Sequence, residues 1–537
     1  METTERSEEG RSVVATLRRH AAATPDKAAV VEGGTGRTVS YADLVADVER
    51  CVDAVRAAGG IEGAVVSVQL PNWYETVVID CTVLECGAVL NPLLPGYRSN
   101  ELAGVRDRAR PALMVSPRHY RGFDFPAMYE ALDRDGAHVA HLAVDRGQDG
   151  LAGALASALA GGTGGERLDQ RLGVEASELI FTSGTQAAPK GVVHSEQTVG
   201  ANIAAMTEAL SLTGDDVVWV PSPVGHSTGL NFGVRLGLAL GCTVALQDVW
   251  NPEDGLELIE GARCSYTLAA PTFLRGIVDL LREAGSSHDY MRAFACGGAP
   301  VPPALVDEAD GVGMKVLRLY GSTEALVMTC HRPDAPLAER RVSDGPPLPG
   351  MEVRVVTEAG DEEERGVAGE IEVRGPSVCV GLLVDGGLRP LTEAEGGWAR
   401  TEDIGVLGDE GHLRIVDRKK EIIIRGGMNI SASEVEHALL GVYGVSDAAV
   451  IGVADERLGE QCCACVVVDA GASEDSLAGI VRQAAGTGLA SYKLPEQVYA
   501  VAELPRTATG KVQKHVLRQA VEEGRWEASW RRGGRPA

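Results

Sequence analysis

Residues 182–191 read TSGTQAAPKG and directly follow the apolar, strand-like run 179–181. The hydroxyl groups, the main-chain N–H groups left accessible by Gly184 and the ammonium of Lys190 can converge on an oxyanion with little steric cost. A Gly/Ser/Thr cluster after a strand is most simply interpreted as a surface turn. The alternative is a phosphate-binding loop, and the rest of the sequence helps to decide between the two interpretations.

Four other segments carry polar residues at spacings that suit the same chemistry. They read YGSTEA at 320–325, WARTED at 398–403, DRKKEIIIRGGMN at 417–429 and PRTATGK at 505–511. In this order, and together with the loop, they resemble the motifs of the adenylate-forming superfamily of acyl-CoA synthetases, adenylation domains and luciferases. The resemblance spans almost the whole chain, and the run 225–260 is most similar to ligases for alicyclic or medium-chain acids.

The resemblance implies which residues bind phosphate. Those matching the loop that holds the β and γ phosphates of ATP are Thr182, Ser183, Gly184, Thr185, Gln186, Ala187 and Lys190. Glu324 matches the position that holds Mg²⁺, an ion that prefers oxygen ligands. Thr323 matches a donor to the α-phosphate, so both residues are expected to be catalytic. A glutamate in a Gly/Ser turn is otherwise simply solvated.

The resemblance also implies an adenylate site. Residues matching its adenine-binding part are Gly297, Gly298, Ala299, Pro300, Tyr320, Gly321 and Ser322. Asp403 matches the carboxylate that accepts hydrogen bonds from both ribose hydroxyls, and Arg418 matches an arginine that contacts the nucleotide. The family usually has glycine before this aspartate. Because this chain has Glu402 there, the resemblance does not fix the geometry of the turn.

Three further matches imply movement. Lys511 matches a mobile catalytic lysine, Lys420 a hinge position, and Gly426 and Gly427 the stretch that borders the pantetheine of CoA. They imply one conformation that makes an acyl-adenylate and a second that delivers the CoA sulfur to it. A lysine after glycine near a chain end is otherwise ordinary surface. His226 matches a residue near the reactive carbonyl, but a histidine here serves equally well as a helix cap or a core residue.

The loop departs from the family pattern at two positions. The family has threonine where this chain has Gln186 and glycine where it has Ala187. If that glycine uses a positive φ, alanine costs about 1–2 kcal/mol of strain, and its methyl group crowds the anion. Losing one hydrogen-bond donor to the transition state costs about 3 kcal/mol, which lowers the reaction rate by a factor of at least about a hundred.

We therefore expect an acyl-CoA ligase for a bulky, apolar or alicyclic acid, with adenylation impaired or absent. It would mainly convert preformed acyl-AMP and CoA, and a separate adenylating enzyme would supply the adenylate. A complete ATP-dependent acyl-CoA synthetase using Mg²⁺, an acyl-AMP ligase that loads a carrier protein, and a non-catalytic relic remain as alternatives.

Composition limits the partners and the compartment. The formal charge is −26, which disfavours nucleic acid and anionic membrane as partners. An acidic N-terminus without an apolar core and the scattered cysteines, eleven in all, favour the cytoplasm. Cys462, Cys463 and Cys465 lack the spacing of a zinc site, so we expect buried thiols in a strand.

The 537 residues predict more than one domain. Strand-like and helical runs alternate to about residue 345, which predicts an α/β class with covered, largely parallel sheets. A small β subdomain is expected after it, then a mobile C-terminal α+β domain. The predicted domains are 1–417 and 418–537, with a hinge near Lys420. A helix is expected after Ser431, and the end from Glu522 is expected to fray.

Overall fold

The structure, a computed structural model, divides into two compact units. The first unit contains residues 1–352 and 373–399, and the second contains 353–372 and 400–537. The described residues are 13–134, 139–160, 166–182, 190–384, 386–391, 396–425, 428–455, 458–468, 474–486, 489–507 and 512–532.

Most strands of the chain precede residue 331. They are β1 (Ala28–Glu32), β2 (Thr38–Ser40), β3 (Val65–Val68), β4 (Val89–Pro92), β5 (Leu113–Pro117), β6 (His119–Tyr120), β7 (Phe123–Asp124), β8 (Ala140–Val144), β9 (Glu178–Thr182), β10 (Lys190–His194), β11 (Val217–Val220), β12 (Thr243–Leu246), β13 (Tyr266–Ala269), β14 (Ala293–Cys296), β15 (Val316–Ser322) and β16 (Leu326–Cys330).

The later strands are β17 (Glu352–Val356), β18 (Ala368–Arg374), β19 (Gly381–Val384), β20 (Gly387–Arg389), β21 (Ala399–Leu407), β22 (Leu413–Arg418), β23 (Ile422–Arg425), β24 (Met428–Ser431), β25 (Val445–Asp455), β26 (Gly459–Val468), β27 (Gln497–Ala500) and β28 (Trp530–Arg531).

The helices of the first unit are α1 (Val13–Ala23), α2 (Tyr41–Ala57), α3 (Tyr74–Glu85), α4 (Ser99–Ala109), α5 (Phe125–Arg134), α6 (Leu151–Ala160), α7 (Leu168–Leu172), α8 (Glu196–Leu210), α9 (Ser227–Gly229), α10 (Leu236–Leu240), α11 (Pro252–Ala262), α12 (Pro271–Ala284), α13 (Pro303–Gly311) and α14 (Leu337–Arg340). Those of the second unit are α15 (Ala432–Leu440), α16 (Glu474–Gly486) and α17 (Lys514–Glu522). A π-helical segment, Leu230–Arg235, joins α9 to α10.

The first sheet of the first unit has the order β16-β15-β14-β13-β11-β12-β1-β2. Its strands from β15 to β1 pair in parallel, and antiparallel strands close both edges. Helices α11, α12 and α13 cover one face, where Trp219 and Phe294 are buried among their apolar side chains. Burial on both faces explains why the central strands read as continuous apolar runs.

The second sheet has the order β20-β19-β10-β9-β4-β3-β5-β8. The strands β8, β5, β3, β4 and β9 pair in parallel, and β9, β10, β19 and β20 continue the sheet antiparallel. Helix α3 is buried along almost its whole length, including the polar residues Glu75, Thr76, Asp80 and Thr82.

The second unit contains most of a four-stranded sheet, β17-β18-β21-β22, and a further sheet in the order β24-β23-β26-β27-β28. Strand β25 also pairs with β26. Ser431 caps helix α15, as expected, because its hydroxyl accepts a hydrogen bond from the N–H of Glu434 at 3.1 Å. The buried side chains of α15 include Val435 and Leu439.

These observations confirm the predicted fold class. The expected boundary at 417/418 falls inside the second unit and stays a prediction, as does the hinge at Lys420. The expectation of fraying from Glu522 is wrong for residues 522–532, because Trp530 pairs with Val498 and packs against the core of this unit, whereas residues 533–537 lie outside the described residues. The thiols of Cys462, Cys463 and Cys465 are buried in β26. Within the described ranges, no helix has the length and apolarity needed to cross a bilayer.

Candidate active site

Several predicted site residues meet at one edge of the first sheet. Because β11, β13, β14 and β15 run parallel, their carboxyl ends share an edge, where α/β enzymes bind ligands. His226 follows β11, the segment 297–300 follows β14, and Tyr320 lies near the end of β15. The strand topology thus places the predicted adenine-binding residues, His226 and the turn with Thr323 at this edge.

The adenine segment contacts the strand beside it closely. A Cβ atom at Gly297 would lie 2.8 Å from the carbonyl oxygen of Leu319, so a larger residue would force the two strand ends apart. Gly298 has a φ of +78°, a conformation that favours glycine. Gly298, Ala299 and Pro300 are exposed, so this edge is open to a ligand.

The turn with Thr323 and Glu324 joins β15 to β16 and is tightly built. The pairing shifts register between Tyr320 and Gly321, and a Cβ atom on Gly321 would lie 2.6 Å from the carbonyl oxygen of Leu326. Leu326 is buried and has a φ of +56°, which is unusual for a side-chain-bearing residue. Such strain persists where the surrounding structure enforces it, commonly at functional sites.

Both carbonyl groups of this turn are held by buried donors. The N–H of Cys379 donates to the carbonyl of Glu324 at 2.7 Å. Nε2 of His194 lies 2.8 Å from the carbonyl oxygen of Thr323, and its Nδ1 lies 3.0 Å from the hydroxyl of Thr198. Burial lowers the pKa of His194 to about 4, although the hydrogen bond to Thr323 opposes the shift. The imidazole is therefore neutral at physiological pH.

The two ends of the phosphate loop are held together. Thr182 pairs with Lys190 across β9 and β10, while residues 183–189, with Ser183, Gly184, Thr185, Gln186 and Ala187, lie outside the described residues. Glu178 at the start of β9 is buried, and burial raises its pKa to about 7. Its carboxylate accepts hydrogen bonds from Asn231 at 3.1 Å and from Arg235 at 3.4 Å.

His226 begins the helix that carries Asn231 and Arg235. Its Nδ1 accepts a hydrogen bond from the N–H of Thr228 at 3.2 Å, so the imidazole caps α9. Burial lowers the pKa of His226 and favours the neutral ring. The capping alternative is observed, whereas a contact with the substrate carbonyl stays a prediction.

In the second unit, the structure places Asp403 beside Arg418. The two residues pair across β21 and β22, and Arg418 Nε lies 3.5 Å from Asp403 Oδ1. Asp403 is buried, and the side chain of Arg418 is 55% exposed. Glu402 has a φ of +60°. This position within β21 therefore has the left-handed conformation that suits the glycine of the family pattern.

Charged groups surround the segment that follows Arg418. Asp417 accepts hydrogen bonds from the hydroxyl of Ser431 at 2.8 Å and the N–H of Ser433 at 3.0 Å. Lys514 contacts Glu421 at 2.8 Å and Glu436 at 2.9 Å. The side chain of Lys420, together with Gly426, Gly427 and Lys511, lies outside the described residues.

Sequence reasoning missed three supports of the site. His194, Glu178 and Arg235 were not singled out, although all three are polar residues in or beside the motif-bearing segments. His194 and Glu178 are buried, and the side chain of Arg235 is 11% exposed. His194 lies four positions after Lys190 and therefore close to the predicted loop. Its hydrogen-bond partner Thr323, however, lies 129 residues away in the sequence. A parallel-strand edge with an exposed glycine segment is typical of α/β enzymes that bind nucleotides.

Comparisons with known proteins identify the family. The AMP-binding enzyme model matches residues 17–383, and the AMP-binding enzyme C-terminal domain matches residues 434–511. The medium-chain fatty-acid–CoA ligase of Escherichia coli K12 is 34% identical over 93% of this chain and 89% of its own. The 3-[(3aS,4S,7aS)-7a-methyl-1,5-dioxo-octahydro-1H-inden-4-yl]propanoyl:CoA ligase of Rhodococcus jostii RHA1 is 33% identical over 84% of this chain and 88% of its own.

A solved structure gives the same result. ATP-bound MatB from Rhodopseudomonas palustris has a TM-score of 0.80 and 28% identity, covering 96% of this chain and 99% of that one. The chain belongs to the AMP-binding enzyme family, in the acyl-CoA ligase branch of the adenylate-forming superfamily. The predicted family and enzyme class, an acid–thiol ligase of the AMP-forming type, are confirmed.

Proposed function

We propose that this acyl-CoA ligase acts mainly in the second half reaction, forming acyl-CoA and AMP from a preformed acyl-adenylate and CoA. The observation that carries the proposal is the altered loop, in which Gln186 and Ala187 stand where the family has threonine and glycine. The affected residues serve the β and γ phosphates, which an acyl-adenylate lacks. A separate adenylating enzyme would supply that intermediate.

The residues needed for thioesterification are retained. Thr323 would donate to the α-phosphate, Asp403 would bind the ribose and Arg418 would contact the nucleotide. The CoA sulfur attacks the acyl carbonyl, the carbon–oxygen bond to phosphate breaks, AMP leaves, and the thiol proton is lost. Gly426 and Gly427 would border the pantetheine, and Lys420 would be the hinge between the domains 1–417 and 418–537. His226, at the same sheet edge as Tyr320, would lie near the carbonyl.

The residues present fit Mg²⁺ if ATP is used. Glu324 is a half-buried carboxylate on a turn whose carbonyls are fixed by Cys379 and His194. Carboxylate and phosphate oxygens are the ligands this ion prefers, and it would neutralise phosphate charge when bound. Lys511 would bind the α-phosphate and the carboxylate in the same half reaction. Glu324 and Lys511 would contribute little to thioesterification.

The proposed acid is bulky and apolar or alicyclic. Two relatives support this class, since one is named for a medium-chain fatty acid and the other for a bicyclic propanoate. A reducing, cytoplasmic setting is proposed as well, because all eleven cysteines are unpaired.

A complete ATP-dependent synthetase is the second candidate. It is favoured by relatives that are named as CoA ligases and match most of the chain. The two candidates predict the same fold and the same product, and they differ in whether ATP is consumed.

Restoring the family loop tests the proposal. The double substitution Gln186→Thr and Ala187→Gly should raise pyrophosphate release from ATP and acid by about a hundredfold, because both the strain and the missing donor are corrected. The conversion of synthetic acyl-adenylate and CoA by the same preparation is the matched control and should stay unchanged. No rise in pyrophosphate release would show that the loop is not the defect.

A further inference from the structure

The turn with Thr323 and Glu324 is fixed by groups outside every motif of the family pattern described above. The neutral His194 ring is fully buried and bridges Thr198 on α8 to the carbonyl of Thr323. A carbonyl oxygen can only accept, so Nε2 carries the proton. Nδ1 of the neutral ring is then an acceptor 3.0 Å from the Thr198 hydroxyl, whose one proton it shares with the carbonyl of Ser195, also at 3.0 Å.

Helix α8 also forms hydrogen bonds with β16, the strand that follows the turn. The side-chain amide of Asn202 donates to the carbonyl of Val327 at 2.8 Å and accepts from its N–H at 3.3 Å. The same amide donates to the hydroxyl of Ser377 at 2.8 Å. Asn202 is fully buried, so these bonds are shielded from water. Thr198 and Asn202 are four positions apart and therefore lie on one face of α8.

The turn needs such support because its conformation is unfavourable. Leu326 has a positive φ, and the register shift at Tyr320 interrupts the ladder between β15 and β16. A strained turn relaxes unless its neighbours enforce it. The bond from His194 acts on the carbonyl of Thr323 itself, whose hydroxyl is the proposed donor to the α-phosphate.

We propose that His194 is a positioning residue that sets the direction of Thr323 toward the α-phosphate, with Thr198 fixing its ring. The inference rests on the proposed function, since it assumes that the turn binds an adenylate phosphate. His194 itself touches no reacting atom. Its effect reaches the ligand through the backbone of the turn.

Binding of AMP tests this role without any acid or ATP chemistry. His194→Leu keeps the approximate volume but removes the donor, so the Kd for AMP measured by calorimetry should rise by about tenfold. His194→Gln can offer an N–H to the same carbonyl and should stay within about threefold of the wild type. Rescue by glutamine distinguishes positioning from simple packing.

His331→Leu is the matched control. His331 is another fully buried histidine of the first unit, with Nε2 3.2 Å from a backbone carbonyl, that of Ser343. Its substitution should lower the melting temperature as His194→Leu does but leave the Kd for AMP unchanged. If His194→Leu does not fold, Thr198→Val tests the same bridge, with an expected rise in the Kd of about threefold.

An unchanged Kd in His194→Leu, or in Thr198→Val where that variant is needed, would overturn the inference. An equal rise in His331→Leu would also overturn it, because the effect would then follow general destabilisation. A wild-type protein that does not bind AMP would instead contradict the proposed function. The two failures are therefore distinguishable.

Discussion

Two regions that carry predicted nucleotide contacts are built on different physical principles. The turn at Thr323 and Glu324 in the first unit is held by neutral, buried hydrogen bonds from His194 and Cys379. The segment 417–421 in the second unit is surrounded by charges, with Lys419 contacting Glu370 at 2.9 Å and Lys514 contacting Glu421 at 2.8 Å.

The difference indicates which region is rigid and which can rearrange. Neutral bonds in a dry interior keep one geometry over a wide range of pH and salt. Ion pairs that involve exposed side chains are weaker and are screened by salt. The side chains of Arg418 and Lys419 are 55% and 46% exposed. Rearrangement near the proposed hinge would therefore cost less than rearrangement of the turn with Thr323 and Glu324.

The largest expected effect comes from Lys514 near the proposed hinge, whose side chain is only 18% exposed, in contrast to Arg418 and Lys419. Burial alone would lower the pKa of Lys514, but Glu436 and Glu421 raise it, whereas burial raises the pKa of Glu436. Lys514→Met leaves the Glu436 carboxylate without its cation and should destabilise the second unit by about 3 kcal/mol. Hydrogen exchange of amides in α15 and α17 measures this loss.

Two controls accompany that substitution. Lys514→Arg retains the charge and should lose far less stability. Adding Glu436→Gln to Lys514→Met should restore part of the loss. Equal exchange rates in wild type and Lys514→Met would show that the charge network does not support this segment, and the comparison would fail.

Glu178 tests whether the first unit is uniformly insensitive to pH. Its pKa of about 7 exceeds the ordinary value of 4.5, so the folded state binds the proton more tightly than the unfolded state does. The stability from this group is present at low pH and is lost as pH rises from about 4.5 to 7. In the wild type, the free energy of unfolding should fall by about 2 kcal/mol between pH 5 and 7.5, and Glu178→Gln should remove this fall.

Urea unfolding followed by tryptophan fluorescence measures this fall, because Trp219 is buried in the first unit. The matched control is Glu196→Gln, since Glu196 is the other carboxylate on Arg235, at 2.8 Å. In that variant, the free energy of unfolding should still fall as the pH rises. An identical pH dependence in Glu178→Gln and wild type would show that Glu178 does not titrate in this range.

The smallest expected effect concerns Glu402 in the second unit, which has a positive φ as Leu326 has in the first unit. Glu402 is exposed and has a φ of +60°, so Glu402→Gly should relieve strain and stabilise the protein by about 0.5 kcal/mol. Glu402→Ala keeps the strain while removing the carboxylate and should not stabilise. Calorimetric melting temperatures distinguish the two variants, and a lower value for Glu402→Gly would contradict the strain argument.

The sequence predicted the fold class because strand-like and helical runs alternate clearly before residue 345. It predicted Asp403, Arg418 and Tyr320 as site residues because each lies in a compact motif. It could not predict that Thr198 and His194 reach Thr323, since no local spacing reports contacts between distant segments. The pairing of Trp530 with Val498 was also missed. The stretch after Glu522 is mostly polar, and its composition did not indicate that one tryptophan pairs with a distant strand.

The most direct test of the central claim compares the two half reactions in the purified wild-type protein. One arm supplies ATP, Mg²⁺ and a panel of medium-chain and alicyclic acids and follows pyrophosphate. The other supplies the corresponding synthetic acyl-adenylates with CoA and follows AMP and thioester. We expect thioester formation to be at least about a hundredfold faster than pyrophosphate release. Pyrophosphate release as fast as thioester formation would contradict the account.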